Sequence, residues 1–110
     1  MKPYTSESSY YAVIFTSVRT EQDVEGYQDM AEKMIALAKQ QPGFLGVESA
    51  RNEIGITVSY WESLEAIKAW KENELHLVAQ QTGKERWYAA YTTRICKVER
   101  TYHFGQEAKL

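Results

Sequence analysis

Residues Gly55–Tyr91, GITVSYWESLEAIKAWKENELHLVAQQTGKERWYAAY, decide how the chain is read. They hold all three tryptophans, Trp61, Trp70 and Trp87, and one of the two histidines, His76. The apolar pattern predicts a strand from Ile54 that delivers Trp61, with Ile54, Ile56, Val58 and Tyr60 on one face and Thr57, Ser59 and Trp61 on the other. Ser63 is a suitable N-cap for a following helix that carries Leu64, Ile67 and Trp70 on one stripe. Asn73 is expected to interrupt that helix, with Leu75, Val78 and Ala79 forming a second short stripe that ends at Gly83. Trp87-Tyr88 then announces another strand. Indoles are large and seldom left in water, so three of them in one segment imply a shared buried wall. It is either a core or the lining of a pocket.

Upstream, Tyr10–Val18 is rich in β-branched and aromatic residues and predicts a strand. Tyr11, Val13 and Phe15 share one parity; Tyr10, Ala12, Ile14 and Val18 share the other, as in a strand covered on both faces. A helix follows Thr20, with Val24, Tyr27, Ala31, Met34, Ile35 and Ala38 at helical spacing, and Pro42-Gly43 stops it. Phe44–Arg51 and Ile54–Trp61 are separated by so short a connection that they pair as a hairpin, with Gly55 available for a tight turn or bulge. Downstream, Trp87–Phe104 reads as one long β-rich segment. At ~3.3 Å per residue it is too long for one straight strand, and it bends, bulges or projects onto another subunit.

The order strand, helix, strand, strand, helix, strand is the ferredoxin-like split βαβ arrangement of the α+β class, β-α-β-β-α-β, an antiparallel sheet with both helices on one face. Its second face has nothing in this chain to cover it, yet the strands carry apolar residues on both parities. A homodimer whose sheets meet face to face, a dimeric α/β barrel, resolves the conflict. One domain is expected over 10–104, between a polar N-terminal arm (1–9) and a C-terminal tail (105–110).

Composition narrows the function. At 110 residues there is room for one core, and 44% hydrophobic with 25% charged residues is ordinary for a globular protein. A formal net charge of −2 argues against nucleic acid or an anionic membrane as partner. Eight tyrosines point to large amphipathic surfaces, in pockets or at subunit contacts. The lone Cys96 excludes an internal disulfide and any multi-cysteine zinc site, and beside Ile95 and Val98 it is expected to be a buried thiol. Its neighbours Arg94, Lys97, Glu99 and Arg100 read as a wet edge or dimer rim. Glu21, Asp23 and Glu25 suit a helix N-terminus, and His103 has no evident chemical role. No run is long and apolar enough for a transmembrane helix and the N-terminus has no signal-like apolar region, so a cytoplasmic protein is expected.

Pro42-Gly43-Phe44-Leu45-Gly46-Val47-Glu48, Val58-Ser59-Tyr60-Trp61, Ala66-Ile67-x-x-Trp70, His76-x-x-Ala79-Gln80, Gly83, Trp87-Tyr88 and Tyr91, with the closing strand through Val98 and Tyr102, together resemble the antibiotic biosynthesis monooxygenase-like family of dimeric α/β barrels, over residues 10 to 104. That family includes cofactor-free monooxygenases of aromatic polyketides, quinol monooxygenases and haem-degrading enzymes, and fold alone does not choose among them. For the haem-degrading branch, the resemblance puts its tryptophan at Trp70. It puts the iron-ligand position at Gln80, a poor ligand beside imidazole, and the first strand ends Thr16-Ser17-Val18-Arg19 without that branch's asparagine. His76, about 240° around a continuous helix from Trp70, is not a simple substitute.

The resemblance therefore implies a cofactor-free monooxygenase, without metal, acting on a small reduced aromatic such as a quinol or anthrone. On this reading Trp70 and His76 are the catalytic candidates, His76 as base or anion-stabiliser because imidazole titrates near neutrality. Tyr11, Phe15, Trp61, Trp87 and Tyr91 are the substrate-binding candidates. The alternative is a non-catalytic barrel that binds a hydrophobic ligand or serves as an interaction module. For each tryptophan, core packing competes with a place in the site, and His76 beside Glu74 also reads as a solvated helix residue.

Overall fold

The computed structural model describes residues 9–21, 24–81 and 87–105; the side chains of Val24 and of 75–81 lie outside the described set. Its elements are β1 (Tyr10–Arg19), α1 (Val24–Lys39), β2 (Phe44–Arg51), β3 (Gly55–Trp61), α2 (Leu64–Gln81) and β4 (Tyr88–Val98). The four strands form one sheet in the order β2-β3-β1-β4, every neighbouring pair antiparallel. The ferredoxin-like β-α-β-β-α-β fold is present as expected. The N-terminal arm to residue 8, most of the tail and Gly83 fall outside the described residues.

Register sorts the strand residues onto two faces. Tyr11, Val13 and Phe15 of β1 lie opposite Trp61, Ser59 and Thr57 of β3, and their side chains share the face that α1 and α2 cover. The core there is Ala38, Trp61, Ile67 and Trp70, with Tyr11, Val13, Met34, Leu37 and Phe44 packed against it. Trp61 is fully buried, stacks on Trp70 at 5.9 Å between ring centroids, and donates its indole N–H to Ser59 Oγ at 2.9 Å. Burying an indole without that acceptor costs on the order of 1–3 kcal/mol, so Ser59 sets how Trp61 lies.

Local chemistry fixes the helix ends. Ser63 Oγ accepts from the Ala66 amide at 3.1 Å, the N-cap bond. After α1 the chain turns at Gly43, where φ is +86° and an added Cβ would lie 2.7 Å from Ala66 Cβ. Only glycine meets both conditions. The Gly43 carbonyl then accepts from the Glu62 amide at 2.8 Å and ties the α1–β2 connection to the β3–α2 connection.

Several expectations fail for identifiable reasons. Asn73 does not interrupt α2: its side-chain amide donates to the Ala69 carbonyl at 3.2 Å and to Gln41 Oε1 at 3.1 Å, so it continues the helix and links it to the end of α1. Leu64, at the first helical position, is 53% exposed and does not join the Ile67–Trp70 stripe. On α1, the most buried of the described side chains is Met30, which is not on the predicted stripe. Trp87 sits in the turn before β4, not in the strand. The final strand ends at Val98 instead of running to Phe104, because β1, its only partner among the described residues, begins at Tyr10 opposite Val98. Cys96 is exposed in the single chain, since it lies on edge strand β4 opposite Ala12, on the face that the helices leave open.

Candidate functional site

Between the helices and the sheet lies a cavity of about 180 Å³. Its floor is Val13 and Phe15 of β1 with Thr57 and Ser59 of β3; its roof is Tyr27, Met30 and Met34 of α1 with Ile67, Trp70, Lys71 and Glu74 of α2. Tyr88, Tyr91, Thr93 and Ile95 of β4 close one side. Tyr91 and Ile95 are 40% and 53% exposed on this edge strand, which makes the β4 edge the solvent side of the cavity.

Two β-bulges supply aromatic walls that strict alternation would send elsewhere. Between Val18 and Arg19 the register with β4 slips by one, so Tyr88 pairs with Arg19 and joins Tyr91 on the cavity face. Tyr88, Tyr91 and Phe15 then form a mutual cluster, each pair 5.5–5.6 Å between centroids. The second slip, between Phe44 and Gly46, sets Phe44 opposite Trp61 and edge-on to it at 5.4 Å.

The polar chemistry gathers at the Tyr27 end. Tyr27 meets Tyr88 edge-to-face at 5.7 Å. Burial, and after it the neighbouring Tyr27, pushes the Tyr88 phenol well above the ordinary tyrosine range. The Arg19 guanidinium carbon lies 3.6 Å from the Tyr27 ring centroid, and that of Arg51 lies 5.8 Å from it. Arg51 also donates to Ser17 Oγ at 2.6 Å, passing over Gly55, where an added Cβ would lie 2.1 Å from the guanidinium. Arg19 Nε and Nη2 are buried with no hydrogen-bond partner among the described residues, as is Thr93 Oγ1 in the cavity wall. Lys71 and Glu74 form an ion pair at 3.5 Å on the α2 side.

Of the residues singled out from sequence, the structure brings Phe15, Trp70 and Tyr91 together as cavity walls. Tyr11 and Trp61 sit in the core, Trp61 directly behind Trp70. Trp87, 2% exposed, packs edge-on against Tyr27 at 6.3 Å. His76 belongs to α2, but its side chain and that of Gln80 lie outside the described residues. Sequence reasoning missed Tyr27, Tyr88, Thr93 and the two arginines. Tyr27 lies on the helical stripe, whose spacing does not tell a core position from a cavity wall, while Tyr88 is placed by a bulge that no periodicity announces.

The family model for "Antibiotic biosynthesis monooxygenase" matches residues 9–82. YqjZ of Bacillus subtilis (strain 168), an uncharacterised protein, is 51% identical over 104 residues, covering 93% of this chain and 90% of YqjZ. Among solved structures, SnoaB, a cofactor-independent oxygenase of Streptomyces nogalater, superposes with a TM-score of 0.65 at 13% identity, covering 86% of this chain and 96% of its own. PA3566 of Pseudomonas aeruginosa gives 0.65 at 13% identity, covering 91% and 99%. At such identities the two structures speak for the fold, and the family match covers β1 through α2 with the residues that roof and floor the cavity. The chain belongs to the antibiotic biosynthesis monooxygenase family.

Proposed function

We propose that the protein is a cofactor-free monooxygenase of a small, single-ring reduced aromatic of the quinol type. The observation that carries this is the cavity of about 180 Å³ walled by Phe15, Trp70, Tyr88 and Tyr91. An apolar cavity of ~150 Å³ takes up benzene, so the volume favours one ring over a three-ring anthrone or a tetrapyrrole. SnoaB, of the same fold, is a cofactor-independent oxygenase, which gives the chemistry a precedent.

Dioxygen is a triplet and reacts slowly with closed-shell molecules, so the substrate must be made electron-rich by losing a proton. The hydroquinone supplies all the electrons: one oxygen atom bonds to a ring carbon, the other leaves as water, and the product is a hydroxyquinone. The protein's part is to hold the anion in a site shielded from water. Trp70 and Phe15 exclude water, and the unpartnered Thr93 hydroxyl is a natural partner for a ring hydroxyl.

The proposal includes a homodimer. The uncovered sheet face carries Ile14 opposite Val58 and Thr16 opposite Ile56, with Ile56 44% and Val18 42% exposed, an apolar surface that a second copy would bury. Light scattering at micromolar concentration is expected to give twice the 12.7 kDa chain mass; a monomer rejects the dimer.

The function is tested by dioxygen uptake of the metal-stripped protein against hydroquinones, catechols and anthrones, with heat-denatured protein as control. Saturable uptake with hydroquinones and none with anthrones is expected. No uptake above control returns the site to a ligand-binding role. Among variants, loss of turnover in both Trp70→Ala and His76→Ala places both in the chemistry, whereas loss in Trp70→Ala alone removes His76 from it.

A further inference from the structure

We propose that the sheet face left open by the helices takes a second copy of the chain in one orientation only, with the two-fold axis along the strands and Glu48 of each copy against Arg94 of the other. The dimer itself belongs to the proposed function, on which this rests. The pairing of these two residues, and the orientation it selects, go beyond it and do not depend on turnover.

The register gives the charge pattern of this face level by level. Glu48 of β2 lies opposite Val58 of β3, Val58 opposite Ile14 of β1, and Ile14 opposite Arg94 of β4. That level crosses the whole sheet as carboxylate, two apolar side chains and guanidinium. The neighbouring levels, from Gly46 to Cys96 and from Ala50 to Thr92, cross the same four strands without a charge. Within the ladder the open face therefore carries one anion and one cation, at opposite edges of the sheet. Both are exposed, and among the described residues neither has an ion-pair partner. Glu48 Oε1 accepts from the Tyr60 hydroxyl at 2.7 Å, which steadies the carboxylate and leaves Oε2 for a second donor.

Symmetry turns that pattern into an orientation. Aligned sheets of two identical chains, meeting face to face, are related by a two-fold axis that runs close to the strand direction or close to its perpendicular. About an axis along the strands, every residue keeps its level while the edges exchange, so β2 of one copy lies over β4 of the other. Glu48 then faces Arg94 of the second copy, and the contact occurs twice. About an axis across the strands, β2 lies over β2 and β4 over β4, and each charge meets the edge that carries its own sign. Packed sheets stand about 10 Å apart, a gap that a glutamate and an arginine side chain bridge when they point at each other. The apolar centre, with Ile14, Val58 and Ile56, is buried in either orientation, so burial does not choose between them and charge does.

The test is charge exchange, read as the dimer dissociation constant from light scattering of the full chain over a dilution series. Glu48→Arg and Arg94→Glu each put like charges at both contacts, and each is expected to weaken the wild-type dimer about 100-fold. Mixed in equal amounts, the two variants regain opposite charges at both contacts and are expected to associate with each other within about tenfold of wild-type affinity. The double variant Glu48→Arg/Arg94→Glu regains them within one chain and is expected to do the same. Glu48→Gln, which still accepts from Tyr60, covers the case in which a reversed charge impairs folding. It is expected to weaken the dimer several-fold at low salt, and less as salt rises. Single reversals, or Glu48→Gln at low salt, that dimerise as tightly as wild type overturn the proposal, and so does a folded double variant that stays dissociated. A wild-type dimer indifferent to these changes leaves the dimer of the proposed function standing and removes the pairing, whereas a monomeric wild type removes both. The dioxygen-uptake result is independent of all these outcomes.

Discussion

Gly55→Ala is a small change with a calculable outcome. Gly55 pairs with Ser17 on one side and Arg51 on the other, and it is ordinary extended backbone, so alanine meets no conformational strain. What it meets is the Arg51 guanidinium, with three atoms 2.1–2.8 Å from the new Cβ. That group ends a flexible side chain and swings away, which breaks its 2.6 Å bond to Ser17 Oγ and leaves a hydroxyl on a residue only 3% exposed. A hydrogen bond to a charged group is worth about 1.5–3 kcal/mol, and Arg51 is exposed, so the lower part of that range applies. Replacing a strand glycine by alanine returns about 0.5–1 kcal/mol. The net loss is about 1 kcal/mol, or about 4 °C in Tm for a chain of this size. The decisive assay is a double-mutant cycle by thermal or urea unfolding. In an Arg51→Met background there is no guanidinium to displace, so Gly55→Ala is expected to be neutral or stabilising. Equal destabilisation in both backgrounds would show that Arg51 does not lie over Gly55.

Gly43→Ala combines a left-handed φ with a 2.7 Å contact to Ala66 Cβ, and it is expected to lower stability by about 1–3 kcal/mol in urea unfolding. Trp70→Ala removes an indole 7% exposed and stacked on Trp61, for an expected loss of about 3–5 kcal/mol, measured as a drop in Tm together with loss of ligand binding. The Tyr60 phenol is pushed up to about 12 from 10.0, by burial and then by its 2.7 Å bond to Glu48. A folded-state value above the unfolded one gives stability that is complete below pH 10 and is lost as pH rises toward about 12. Tyr60→Phe should flatten that alkaline decline, and an unchanged slope in pH-dependent unfolding assigns it to another group. Cys96 lies on the face assigned to the dimer, so a thiol reagent should modify it slowly at micromolar protein and faster on dilution toward monomer.

The six elements were legible from their own residues: β-branched and aromatic runs in β1 and β4, helical stripes in α1 and α2, a connection between β2 and β3 too short for anything but a hairpin, and Pro42-Gly43 to end α1. What propensity did not give was extent. Residues 99–104 look like strand by composition, but a strand lasts only as long as its partner, and β1 starts at Tyr10. Asn73 looks like a breaker because its side chain competes for backbone groups. Here it competes within the helix, bonding Ala69 four residues back, and its second bond to Gln41 fastens α2 to the end of α1. The strand's end is thus set by a tertiary partner that local pattern does not encode, and Asn73 is kept helical by one local bond and one tertiary bond.

The site was legible by half, and the division is physical. Phe15, Trp70 and Tyr91 line the cavity from regular positions in regular elements, where face follows from parity or helical phase. Tyr88 sits on that face only because β4 gains a residue against β1 at Val18–Arg19, and the same slip sets Arg19 opposite Tyr88, with its guanidinium over Tyr27. One irregularity thus places an aromatic wall, a hydroxyl and a buried cation at one end of a cavity that is otherwise apolar. A flat, regular β1–β4 ladder would have sent Tyr88 to the opposite face. The bulge is therefore the element that separates this site from an ordinary hydrophobic core, and it is where changes in ligand chemistry among relatives of this fold should concentrate.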